Sequence, residues 1–150
     1  MVRIHLCTGV LERGGAVLLV ASRYPNLPAP VWNLPGGRQR DRELLSGTLV
    51  REFLEETGLL VAVNELLYVS ESYDGETHFT NATFAVSSQG DPVLPEHDAH
   101  VVAFEWVGKN ELAQRLSVGV VREPLLSHLS GSQEGYYGYA EAGISIEFAD

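Results

Sequence analysis

Between Gly37 and Leu59 the chain reads GRQRDRELLSGTLVREFLEETGL. Its fixed points are Gly37, then Glu43 after five residues, Arg51-Glu52 after seven more, then Glu55-Glu56 and Gly58. With each residue type at about 5–10% abundance, chance produces this pattern at a given start roughly once in 10⁸. Leu44–Thr57 carries the clearest helical periodicity of the chain, and Gly58 stands where a glycine ends a helix. At about 100° per residue, with Glu52 at the origin, Glu55 falls near 300° and Glu56 near 40°. The three carboxylates therefore share one arc, while Leu49, Val50, Phe53 and Leu54 form the face expected to be buried. Arg51 precedes Glu55 by four residues, a spacing at which it pairs with a carboxylate and fixes its orientation.

Local rules oppose this arrangement. Like charges three and four residues apart repel, and the helix C-terminus disfavours negative charge. Such conflicts mark functional sites. A hard divalent cation removes the conflict, because it takes oxygen ligands and keeps waters and substrate phosphates around it. An isolated ExxEE would read as a solvated acidic face; the Gly-x₅-Glu-x₇-Arg frame and the preceding WNLPGG loop, Trp32–Gly37, argue against that here.

The rest of the chain is consistent with one mixed α/β domain over residues 1–150. Its 150 residues are 45% hydrophobic, enough for a single core and short for two domains. The net charge of −10 argues against DNA or RNA backbones as partners, while leaving room for a small anionic substrate whose charge metal ions mask. Cys7 is the single cysteine, lies in a strand-like run and reads as an inert core thiol. The longest apolar run, Ala16–Ala21, is far below the ~20 residues of a membrane span, and the first residues lack a secretory pattern. A cytoplasmic protein is the expectation.

Along the chain, Val2–Leu11 and Ala16–Ser22 read as strands joined through a Gly14-Gly15 turn. Pro25, Pro28, Pro30 and Pro35 punctuate a loop. Leu60–Val63, Leu66–Ser72, His78–Ser87 and Val101–Val107 read as strands, with Asp74-Gly75 as a hairpin tip. Lys109–Leu116 and Val120–Leu129 read as short helices, Pro124 requiring a first turn or a break. The tail reads as a glycine-rich loop followed by a last strand, Ile144–Phe148.

The Gly37–Leu59 stretch resembles the signature of the Nudix hydrolase family, G-x₅-E-x₇-R-E-U-x-E-E-x-G-U, with U a bulky aliphatic. Gly37, Glu43, Arg51, Glu52, Glu55, Glu56, Gly58 and Leu59 match it, and Phe53 stands where Ile, Leu or Val is usual. The resemblance implies an α+β fold, an α/β/α sandwich with a mixed β-sheet flanked by helices. It further implies hydrolysis of a diphosphate linkage in a nucleoside diphosphate derivative with Mg²⁺ (or Mn²⁺). Glu52, Glu56 and Glu55 would be metal ligands together with the Gly36 carbonyl. Arg51 would orient a glutamate, and Glu55 or Glu52 would act as general base. Glu43 would ligate directly or through water. A further carboxylate from outside the signature is usual in the family, and Glu96, Asp98 and Glu105 are the candidates here; His100 sits where an acid would first be sought.

Arg38, Arg40 and Arg42 form the densest basic patch, and one or two of them, Arg38 and Arg40 first, are candidates for binding the terminal phosphate or the group joined to the nucleoside diphosphate. Tyr24 and Trp32 lead the candidates for stacking on a base, with Tyr73, Phe79 and Phe84 behind them. Tyr136, Tyr137 and Tyr139 in the tail are candidates for closing the site or for a homodimer contact. Subgroup markers fail: Asp74 and Gly75 stand where an ADP-ribose pyrophosphatase carries proline, and Glu76 near where a diadenosine polyphosphate hydrolase carries tyrosine. A nucleotide, nucleotide sugar or oxidised nucleoside triphosphate remains. The rival classes are a catalytically silent nucleotide-sensing module, which loss of a signature glutamate would mark, and an RNA-end pyrophosphohydrolase, which calls for a basic groove.

Overall fold

The computed structural model describes residues 1–96 and 100–142. Two sheets form the frame. The mixed sheet has the order β5-β1-β7-β6-β9, made of β1 (Val2–Val10), β5 (Gly36–Arg38), β6 (Ala62–Asp74), β7 (Thr77–Ser87) and β9 (Tyr136–Tyr139). Strand β1 runs parallel to β7 and β9 parallel to β6, whereas the β6–β7 and β1–β5 pairs are antiparallel. The second sheet is antiparallel, with β2 (Glu12–Arg13), β4 (Val31–Asn33) and β8 (Val101–Gly108) all pairing with β3 (Ala16–Ser22). Strand β3 is buried almost throughout, which explains why AVLLVAS is apolar without alternation.

The signature helix α1 (Leu45–Thr57) ends as its sequence requires: Gly58 is left-handed at φ 72°, and its N–H reaches the Leu54 carbonyl. Phe53 and Leu49 are fully buried with Cys7, Leu18 and Val86. A second apolar cluster joins Val10, Val17, Leu19 and Val107 to α2 (Leu112–Arg115) and α3 (Gly119–Leu129) through Leu112 and Leu125. The mixed sheet with helices packed around it is the expected fold class.

Several local expectations are corrected. Val2–Val10 pairs with β7 and β5; only the stub Glu12–Arg13 forms the Gly14-Gly15 hairpin with β3. Leu60–Val63 and Leu66–Ser72 merge into the single strand β6, with register shifts near Leu66 absorbing the irregularity. The proline-rich loop contains β4, which the Trp32–Ala21 pairing extends from β3. Pro124 sits in the second turn of α3, buried, and the helix continues through it although the Val120 carbonyl loses its intrahelical donor. The tail is not merely a loop, since Tyr136–Tyr139 adds an edge strand beside β6. The expected strand Ile144–Phe148 lies outside the described residues. Leu54 is 52% exposed, because α1 packs through the neighbouring arc of Thr48, Leu49, Phe53, Glu56 and Thr57. The threonines tolerate burial there because each hydroxyl bonds a carbonyl one turn back, Leu44 and Phe53 respectively.

Candidate active site

One face of α1 and the β5 turn converge on a cavity of about 310 Å³. Gly36 and Gly37 are the hinge of this approach. Gly36 has φ +151°, and a Cβ there would lie 2.0 Å from the Cys7 carbonyl oxygen. At Gly37 a Cβ would lie 2.6 Å from the Glu52 carboxylate carbon, so the missing side chain is the space in which Glu52 sits. The Gly36 N–H donates to Glu56 Oε1 at 2.9 Å, tying the loop to the helix.

Glu52 and Glu56 both line the cavity and their side chains are only 12% and 5% exposed. Burial, and then the neighbouring Glu56 charge, push Glu52 up to about 7. Burial likewise raises Glu56, against the opposing pull of His100 and the Gly36 N–H. Two acids raised first by burial and then by a neighbouring glutamate, Glu56 for Glu52 and Glu55 for Glu56, are a site short of positive charge. Among the described residues no three His, Cys, Asp or Glu side chains stand ready in ligating geometry. The donor set nonetheless fits a hard cation: two carboxylates beside the Gly36 backbone and a glycine cradle that leaves them room.

Arg51 organises the acids. Its Nε donates to Glu43 Oε2 at 2.7 Å, Nη1 to Glu52 Oε1 at 2.7 Å and to Glu55 Oε2 at 3.4 Å, and Nη2 to the Arg38 carbonyl at 3.1 Å. Glu43 also accepts from the Arg40 N–H and the Thr48 hydroxyl, so its oxygens are committed to holding Arg51 and the loop. That hydrogen bonding, led by Arg51, holds its carboxyl down at about 2. Glu55 is half exposed, shared between Arg51 and Arg40, and does not line the cavity.

The other sequence candidates divide. Arg38, Arg40, Tyr24 and Phe79 line the cavity. Tyr24 is pushed up to about 12, first by burial and then by the Glu56 charge. Trp32 is not among the lining residues; its ring packs at the second apolar cluster with the Arg115 guanidinium 4.9 Å from its centroid. Tyr73 stacks on His78, with centroids 4.4 Å apart, and Phe84 packs against the α1 core. Glu96 is exposed and absent from the cavity wall, and Glu105 is ion-paired with Arg115. Asp98 lies outside the described residues. The tail tyrosines serve the fold: Tyr136 bonds Glu71, and Tyr137 donates to Ser127 at 3.0 Å.

Among the charged or titratable side chains of the wall, sequence reasoning assigned no role to two, His100 and Arg23. His100 Nε2 lies 3.3 Å from Glu56 Oε2, and this contact raises the imidazole above its ordinary value. Arg23 follows β3 and shares its backbone N–H with the His100 carbonyl. His100 was visible as the residue replacing an expected acid; Arg23 carried no signal beyond its charge.

None of the described helices is long and apolar enough to cross a membrane. The family model for the NUDIX domain matches residues 3–129. A curated relative, nucleoside diphosphate-linked moiety X motif 6 of Xenopus laevis, is 26% identical over 130 residues, which are 84% of this chain and 59% of that protein. The chain thus spans about three fifths of that relative's length. A mutator MutT protein from Bacillus halodurans superposes with a TM-score of 0.76 at 19% identity, covering 97% of this chain and 95% of the other. A MutT Nudix hydrolase from Burkholderia pseudomallei superposes with a TM-score of 0.68 at 27% identity, covering 83% and 97%. With its signature helix, its glycine hinge and a family match over most of its length, this chain belongs to the Nudix family.

Proposed function

We propose that the chain is a metal-dependent pyrophosphohydrolase that cleaves the diphosphate linkage of a nucleoside diphosphate derivative. The observation that carries this reading is the pair of carboxylates, the buried Glu56 and the largely covered Glu52, set in one cavity with Arg23, Arg38 and Arg40. Carboxylates alone would repel a diphosphate. Glu52, Glu56 and the Gly36 carbonyl would hold a divalent ion, Mg²⁺ or Mn²⁺, whose chemistry would be to neutralise the diphosphate and lower the pKa of water. Glu55, half exposed and shared between Arg51 and Arg40, would complete the ligand set. Arg51 keeps Glu52 in one orientation, braced from behind by Glu43. The arginines bind the phosphate oxygens that face away from the carboxylates. Glu55 or Glu52 accepts the proton of the attacking water. Family membership, the relative's nucleoside diphosphate-linked name and the cavity's size support a small nucleotide-type substrate.

The test is a screen of nucleotides and nucleotide sugars with Mg²⁺ or Mn²⁺, scoring released products, on the wild type and on Glu52→Gln and Glu56→Gln. The expected outcome is a loss of about 100-fold or more in kcat for each variant, with unchanged folding. Near-full turnover by both would dismiss the site.

A further inference from the structure

One stretch of the cavity wall carries neutral polar groups that the chemistry above leaves without a task. Ser70 and Ser72, two residues apart on β6, are 6% and 5% exposed and line the cavity. Every fully enclosed side-chain polar atom among the described residues has a partner, and these two hydroxyls are engaged by none of the hydrogen bonds found, so they open into the cavity. Asn81 stands opposite Ser70 across the β6–β7 pair and lines the same space.

Asn81 is held by a buried chain of hydroxyls. Thr8 Oγ1 donates to Asn81 Oδ1 at 3.3 Å, and the Thr8 and Thr83 hydroxyls are 2.9 Å apart. A hydroxyl has one proton. With the Thr8 proton given to Asn81, Thr83 is the donor between the two threonines. The amide oxygen is thereby turned toward Thr8. What Asn81 presents to the cavity is its N–H₂ group. Asn33 repeats the pattern: its Oδ1 accepts the Leu34 N–H at 2.7 Å, and it lines the cavity with its amide N–H₂ uncommitted.

We infer that this wall selects a base carrying a ring carbonyl oxygen over the matching base carrying an exocyclic amine. The serine hydroxyls adapt to either partner, while each amide turns its oxygen onto a protein donor, Thr8 or the Leu34 N–H, and presents its N–H₂ to the cavity. An amine placed against them sets donor to donor and leaves both sides unpaired, which discriminates far more strongly than a mere change of shape. The inference rests on the proposed nucleotide substrate and adds the base class to it.

The experiment uses matched pairs that exchange the exocyclic amine for a carbonyl, the adjacent ring nitrogen gaining a proton: inosine against adenosine nucleotides, and uridine against cytidine nucleotides, as triphosphates and as diphosphate sugars. The wild type is expected to favour the carbonyl member by about tenfold or more in kcat/KM. Thr8→Val removes the hydroxyl that fixes the amide, and the ratio falls toward one, through KM more than kcat. Asn81→Asp puts an acceptor at the cavity and lowers the ratio as well. Thermal melts establish that each variant is folded, and should Thr8→Val not fold, Asn81→Asp carries the test. Turnover with a ratio near one in the wild type overturns this inference alone. A ratio that survives both variants overturns the assignment to Asn81. Absence of turnover on every nucleotide overturns this inference and the proposed function together.

Discussion

Replacing Gly37 by alanine is the most discriminating single perturbation of the site. Gly37 does not occupy the left-handed region, so alanine is compatible with its backbone. The added methyl would lie 2.6 Å from the Glu52 carboxylate carbon and 2.8 Å from each of its oxygens. Ordinary carbon contacts are about 3.5–4.0 Å, so the carboxylate must retreat by about 1 Å. The retreat is sterically cheap, being the far end of a flexible side chain, but it is large against the bond length of a metal ligand. Misplacement on this scale costs about 100-fold in rate, equivalent to about 2.7 kcal/mol of transition-state stabilisation. Stability moves the other way, since a glycine-to-alanine change at a compatible position stabilises by about 0.4–1 kcal/mol. The assay is kcat/KM for the best nucleotide across a Mg²⁺ titration, beside a thermal melt. Expected are a 100-fold loss, a weakened metal dependence and an unchanged or raised melting temperature. Activity within threefold of wild type would show that Glu52 does not act from its seat against Gly37.

Two further outcomes follow from the loop around Arg51. Glu43 is held from 4.5 down to about 2, so its contribution to stability is full above pH 4.5 and is lost as pH falls from 4.5 toward 2. Glu43→Gln should therefore lower the melting temperature at pH 6 by an amount worth about 1.5–3 kcal/mol, and the gap from wild type should shrink on acidification through that window. A gap constant with pH would refute the anchoring role. Arg40, exposed at the cavity rim and 4.0 Å from Glu55, should raise KM several-fold when changed to alanine, with kcat little altered; an unchanged KM at low salt would remove it from the substrate site.

The helix that carries the acids was legible because its pattern is dense and local: periodicity, a terminating glycine and charges on one arc all lie within Leu44–Gly58. What the sequence left unread depends on partners far along the chain. Leu54 looks as apolar as Phe53, yet only the packing direction of α1 decides which is covered. Trp32 reads as a stacking platform until Arg115, distant in sequence, comes to lie over its ring. The tail's tyrosines and glycines carry turn chemistry locally, and it is the free edge of β6 that makes them a strand. Glu43 reads as one more acid near a metal; its four hydrogen-bond donors, from Arg51, Arg40 and Thr48, turn it into a brace. His100 reaches Glu56 from the start of β8, a contact that no spacing within the signature encodes.

The signature's one unusual residue carries an obligation elsewhere. Phe53 fills its place on α1 only because β1 offers no side chain at Gly9, where a Cβ would lie 2.6 Å from the ring. The two positions are 44 residues apart, yet they trade volume directly. Grafting an aliphatic residue at 53 from a relative would leave a hollow beneath the helix, and adding a methyl at 9 would crowd the ring out of it. Exchange of these positions between family members is therefore a matched transaction, and chimaeras that split the chain between β1 and α1 inherit the mismatch.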